Sequence, residues 1–243
     1  MSPDPIALLR EVTAIGPYFA VTVGEPGARP PAGFRPLREF YAPGPGGPLA
    51  QRIALAAGSL GGGEPRVTGS IVQLGLAARF WSIGLGTAAL GSVLPELHPD
   101  RAHWRQPPEG LIEFWLPGPG TTRATPDLAG ALHRAVLVDH LTPLSQAVRA
   151  VAPVAERLLW GNAASALAGA VRVLQVQRPD AAPRAAWLAR ELLARAPLAG
   201  TATVAPAGAA GLAFRRTTCC LYYRLPRAGL CGDCVFDTPP GAR

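Results

Sequence analysis

The chain has 243 residues, 49% of them apolar, with 28 glycines, 27 prolines and a formal charge of +7. That length and apolar share exclude a wholly disordered chain and allow a sizeable core, while so much glycine and proline sends part of the apolar content into loops and short elements. All 23 basic residues are arginine, and they are spread along the chain rather than gathered in a stripe, which argues against a nucleic-acid partner and for a solvated basic surface.

The opening "MSPDPIALLREV" lacks the charged start and the apolar stretch of about 7–15 residues that mark a secretory signal, so a cytoplasmic location is expected. "YFAVTVG" (18–24) has the aromatic and β-branched content of a strand. "GEPGARPPAGFRP", "YAPGPGGP" and "GSLGGGEP" then fill residues 24–66 with breakers, so 1–66 reads as a Gly/Pro-rich N-terminal region of long loops and short strands. No lysine follows the glycines of "LGGGEP", which is a turn rather than a phosphate loop. "IVQLGLAARFWSIGLGTAALGSVL" (71–94) is long enough to span a bilayer. Gln73 and Arg79 lie within it, however, and an arginine at mid-membrane costs about 2.5–3.5 kcal/mol, so a buried helix is the reading.

"LIEFWLP" (111–117) alternates as a strand does. From Thr125, Pro126 and Asp127 onward the pattern turns helical, through "TPDLAGALHRAVLVDHL", "TPLSQAVRAVAPVAERLLW" with a break at Pro153, and "GNAASALAGAVRVLQV". In the last of these Gly161 suits a helix end and Asn162 the N-cap of the next helix. A further helix starts at 181, and "PLAGTATVAPAGAAG" (197–211) reads as a linker. The expected architecture is α+β, with a predominantly helical body over 67–205 and a small cysteine-rich lobe over 206–243.

All four cysteines fall in that lobe, as "CCLYYRLPRAGLCGDC", a spacing of C-C-x10-C-x2-C. In a reducing compartment thiols at such spacing are more often metal ligands than disulfides. Cys231 and Cys234 straddle a Gly232-Asp233 turn that can bring two thiolates onto one metal. The adjacent Cys219 and Cys220 point to opposite sides on extended backbone, which is awkward for one tetrahedral ion and easier for two metal centres side by side. Four thiolates on two irons is the ligand count of a 2Fe-2S cluster, although the spacing is not that of plant-type ferredoxins. A structural four-cysteine zinc site and a vicinal disulfide remain alternatives.

"RRTTCCLYYRLPRAGLCGDC" resembles the C-terminal motif of FhuF-type ferric siderophore reductases, and the resemblance extends less sharply through "LAARFWSIGLGTAAL", "HLTPLSQAVRA" and "LLWGNAASALAGA". It implies a 2Fe-2S cluster held by Cys219, Cys220, Cys231 and Cys234, with no catalytic group beyond the cluster. The implied activity is one-electron reduction of siderophore-bound ferric iron, a hydroxamate chelate foremost, in the cytoplasm. A monomer is expected, with no nucleic acid and at most a loose association with the inner membrane. No nucleotide fingerprint follows a strand, so electrons would come from a separate reductase or ferredoxin. A non-catalytic iron-sulfur carrier or sensor, or a zinc-stabilised binding module, are the other functional readings.

Around the cysteines, Arg215, Arg216, Arg224 and Arg227 are expected to raise the reduction potential, with Gly229 and Gly232 letting backbone N–H groups approach sulfur. Tyr222 and Tyr223 are expected to pack the lobe on the body or, with Trp160, to face the siderophore; Asn162 is a helix cap or a ligand contact. His133 and His140, seven apart, read as structural residues.

Overall fold

The computed structural model describes residues 4–42, 44, 46–107, 110–118, 122–208, 211–226 and 228–241. Its centre is α3 (Pro65–Gly91), a 27-residue helix buried over most of its circumference. Around it stand α1 (Pro5–Ala14), α2 (Pro48–Ser59), α4 (Leu128–Leu132), α5 (Thr142–Val151), α6 (Glu156–Gln177) and α7 (Ala182–Leu193). No described helix is long and apolar enough to cross a membrane. The arginine inside the apolar stretch has a structural use. Arg79 is 3% exposed and donates from Nη1 to Pro17 O and from Nη2 to Ala20 O, both at 2.6 Å, and burial lowers its pKa to about 10.

The N-terminal region departs from the expectation of loops and short strands, because it contributes two helices. Asp4 caps α1 by accepting from Ile6 N at 3.0 Å. Pro5, Pro48 and Pro65 each occupy the first turn of a helix, where the missing N–H has no partner to lose and φ is already set. Leu9, Val12, Phe19, Phe40 and Leu49 join one core with Trp81, Leu144, Leu167 and Leu188. The "YFAVTVG" strand shrinks to β1 (Thr22–Val23), while β5 (Glu113–Leu116) matches "LIEFWLP".

With β2 (Arg35–Pro36) and β4 (His103–Arg105) these form a four-stranded sheet, β1-β5-β4-β2, in which β1 runs parallel to β5 and the other pairs are antiparallel. β3 (Val93–Pro95) pairs with β6 (Thr122–Ala124). Asp127 caps α4 through Gly130 N at 2.8 Å. His133–Leu141 then winds as a π-helix rather than the continuous α-helix expected. His140 is fully buried within it, between Tyr41 Oη at 2.7 Å on Nδ1 and Leu97 O at 2.6 Å on Nε2, and stacks on Phe80 with centroids 4.4 Å apart. Both ring nitrogens are therefore used structurally.

The helical body ends in a hairpin. Residues 197–211, expected to be a linker, hold β7 (Ala202–Ala207), which pairs antiparallel with β8 (Gly211–Arg216) in register Ala202↔Arg216. The pairing delivers Arg216 to α6 and starts the cysteine lobe there.

Candidate iron-sulfur site

The lobe sits against α6 and α3. Gly161 lies in the first turns of α6, not at a helix end, and Asn162 is likewise inside the helix rather than capping one. The reason for the glycine is tertiary: a Cβ at 161 would collide with Thr218 Oγ1 and stand 3.4 Å from Arg216 Nη2. The chain after β8 thus lies directly on the α6 backbone.

Asn162 is fully buried and is not available to a ligand. Its Nδ2 donates to Ser70 O and Oγ, both at 3.0 Å, and its Oδ1 accepts from Arg216 Nη2 at 2.6 Å. Ser70 Oγ in turn donates to Cys220 O at 2.7 Å. Arg216 Nε donates to Thr218 O at 2.9 Å, and its main-chain N–H to Asp233 O at 3.1 Å. Asp233 is buried, and its Oδ2 accepts from Ser165 Oγ at 2.5 Å. The body therefore grips both halves of the motif, one through Ser70 and Asn162, the other through Ser165. Ser70, Ser165 and Asp233 carry no metal-ligand signature, and the sequence alone did not single them out for this role.

The loop between these anchors is set by two turns. Leu221 adopts a left-handed conformation, φ 68° and ψ 6°, costly for a branched side chain by about 1–2 kcal/mol. It turns the chain immediately after the cysteine pair, and its N–H donates to Cys219 Sγ at 3.2 Å. Cys234 N–H donates to Cys231 O at 3.1 Å, closing the C-x2-C turn, and Phe236 N–H donates to Cys234 Sγ at 3.4 Å. The N–H groups found at sulfur thus belong to Leu221, Tyr222 and Phe236 rather than to Gly229 and Gly232.

Cys220 Sγ and Cys231 Sγ stand 3.6 Å apart, and all four thiols are free of disulfides. The S–H of Cys231 brings the Cys220 pKa down to about 6, assisted by the Tyr222 N–H and the Arg216 charge. The same contact raises Cys231, and burial raises Cys219.

Two thiolates on one tetrahedral metal with bonds of about 2.3 Å stand about 3.8 Å apart, so the Cys220–Cys231 pair has the spacing of two ligands of one iron. Each iron of a 2Fe-2S cluster takes two protein thiolates, whereas a four-cysteine zinc site needs all four sulfurs around one ion. A second observation points the same way. Arg216 is 2% exposed, its Nη1 is buried without a partner, and its charge favours the thiolate forms of Cys219 and Cys220. An anionic group held by the thiols suits such a pocket.

Residues 216–236 match the FhuF 2Fe-2S C-terminal domain, and residues 89–209 match the family described as ferric iron reductase FhuF-like transporter. The chain belongs to the FhuF family. Together the two matches cover more than half of it. A search of curated proteins finds no match. The cofactor of this FhuF-type protein is a 2Fe-2S cluster, and its four cysteines all lie within the matched C-terminal domain.

The remaining residues singled out in the sequence separate by environment. Arg215 pairs with Asp237 at 2.7 Å and is half-exposed. Arg224 pairs with Glu64, with Nε at 2.8 Å from Oε1, and so ties the lobe to the α2–α3 loop. Arg227 lies outside the described residues. Tyr223 meets Phe236 edge-on, centroids 6.0 Å apart, within the lobe, and Tyr222 is exposed. Trp160 is mostly buried, with Nε1 donating to Glu156 Oε1 at 3.3 Å. It lines a depression of about 450 Å³ with Arg157, Gly200 and Thr201. Thr217, two residues before Cys219, donates from N to Thr201 O and from Oγ1 to Gly200 O, so this depression borders the cysteine lobe.

Proposed function

We propose that the protein releases iron from a ferric siderophore, a hydroxamate chelate foremost, by one-electron reduction in the cytoplasm. The observation that carries this reading is a four-thiol lobe at the surface of a helical body. Cys220 is buried, whereas Cys219, Cys231 and Cys234 are partly exposed, so the lobe is anchored on one side and approachable on the other. When bound, the 2Fe-2S cluster supplies one-electron transfer. A separate reductase or ferredoxin loses one electron, and the chelated Fe(III) gains it to become Fe(II). Ferrous iron is held less well by hard oxygen ligands and dissociates. No proton transfer or bond to the chain is needed, which fits a site without a general base.

The chain's own residues then have three tasks. Ser70, Asn162 and Ser165 fix the lobe on the body, as their hydrogen bonds support. The backbone N–H groups of Leu221 and Phe236 hold two sulfurs in place. The depression beside Trp160 receives the chelate next to the Thr217–Cys219 run.

The test uses anaerobically purified protein. Iron and sulfide in equal amounts with a red-brown 2Fe-2S spectrum are expected. Dithionite-reduced protein, mixed with a ferric hydroxamate siderophore and a ferrous chelator, should reoxidise as chelated Fe(II) appears in equal measure. A colourless zinc protein, or a reduced cluster that persists in the presence of the chelate, overturns the proposal.

A further inference from the structure

We infer that Arg216 is the internal counter-cation of the iron-sulfur centre, a buried guanidinium fixed beside Cys219 and Cys220 by Asn162 and Thr218 that raises the reduction potential. The inference rests on the reading that the four thiols hold the 2Fe-2S cluster.

A guanidinium in the interior is costly unless an anion and a full set of acceptors meet it. Arg216 is 2% exposed, and of its side-chain nitrogens Nε and Nη2 have acceptors while Nη1, also buried, has none. Both acceptors are neutral, a main-chain carbonyl and an amide oxygen. The nearby buried carboxylate, Asp233, takes the Ser165 hydroxyl on Oδ2 and offers Arg216 only its main-chain oxygen. Its Nε meets the main-chain oxygen of Thr218, the residue before Cys219, and the chain of bonds through Asn162 and Ser70 ends on Cys220 O, so the cation is set against the backbone of the cysteine pair. Thiolates carrying a cluster are the anion that this cation lacks.

The arginine is also held more firmly than packing alone would hold it. Asn162 is itself fixed by two bonds to Ser70, and Ser70 by Cys220 O, so the guanidinium, α6, α3 and the cysteine backbone close one polar circuit. A planar fork in such a frame cannot swing away when the charge beside it changes. Arg215 and Arg224 differ in that each has a carboxylate partner and solvent around it, conditions under which a charge is compensated and screened. Reduction adds one negative charge to the centre. A fixed cation in a low-dielectric setting favours that extra charge far more than a paired one at the surface.

The test is a redox titration of anaerobically purified, cluster-loaded protein, followed by visible absorbance and electron paramagnetic resonance. Arg216→Gln should lower the equilibrium constant for reduction at least tenfold, equivalent to 59 mV for one electron. Arg216→Lys should fall between this variant and wild type, and Arg215→Gln should change the constant less than threefold. An Arg216→Gln protein with full iron content and a constant within twofold of wild type overturns the inference. If that variant does not hold its cluster, Asn162→Asp decides. It has nearly the same shape, sets a carboxylate against Nη2, and should also lower the constant at least tenfold; an unchanged constant overturns the inference. No ferric chelate enters these titrations. Failure of chelate reduction therefore bears on the proposed function alone, and failure of the shift on Arg216 alone.

Discussion

The polar circuit under the cysteine lobe makes Asn162→Leu a severe substitution despite its similar volume. It removes a charge-assisted bond to Arg216, worth about 1.5–3 kcal/mol, and two bonds to Ser70 of about 1 kcal/mol each. Arg216 is left buried with one acceptor, Thr218 O, and removing one partner of a buried charged group costs about 3–5 kcal/mol. The two routes agree on a loss of about 3–5 kcal/mol. In urea, with a slope of about 1–3 kcal/mol/M, the unfolding midpoint should fall by about 1–5 M, read by far-ultraviolet circular dichroism and by cluster absorbance on the same samples. Arg216→Met should also destabilise. The double variant should be less damaged than the sum, because replacing both partners by apolar groups leaves no unpaired buried charge. A loss below about 1 kcal/mol for Asn162→Leu, or additivity of the two substitutions within about 0.5 kcal/mol, would refute the reasoning.

Gly161→Ala improves helix propensity by about 1 kcal/mol, yet its Cβ would collide with Thr218 Oγ1. Iron content per chain and thermal midpoint should both fall, and a fully loaded, stabilised variant contradicts the close approach. Serine at Cys220 or Cys231 should abolish the visible spectrum, because the two sulfurs stand 3.6 Å apart, a spacing that suits two ligands of one metal; metal and sulfide analysis checks this. His140 has its pKa lowered to about 3, chiefly by burial. The unfolded chain therefore binds the proton near pH 6.5 and the folded protein does not, so stability is retained above that pH and lost at up to about 1.4 kcal/mol per pH unit as pH falls from 6.5 toward 3. Urea midpoints across that range should show this slope in wild type and lack it in His140→Asn.

The cofactor was legible because the cysteine pattern that implies it is local. Two residues between Cys231 and Cys234 make a turn, adjacency forces Cys219 and Cys220 apart, and both facts are properties of short peptide. The central helix, β5 and α7 were legible through length and periodicity. The N-terminal helices were hidden by their own start signals. Pro48 and Pro65 read as breakers, and whether a proline ends one element or opens the next depends on whether the side chains after it find a place in the core. In 197–211 the β-branched Thr201, Thr203 and Val204 are outnumbered by alanine, glycine and proline, and Ala202–Ala207 forms a strand against β8.

Asn162 shows the same limit from the other side. Its residue type suits a helix cap, but it lies inside α6, in the second turn, and its bonds to Ser70 and Arg216 come from segments 92 and 54 residues away. Among the arginines, sequence supplied four equivalent charges near the cysteines. Charge acts through its surroundings, through the partner opposite and the water around it. Only the tertiary structure therefore decided that Arg215 and Arg224 are paired at the surface while Arg216 is enclosed beside the thiols.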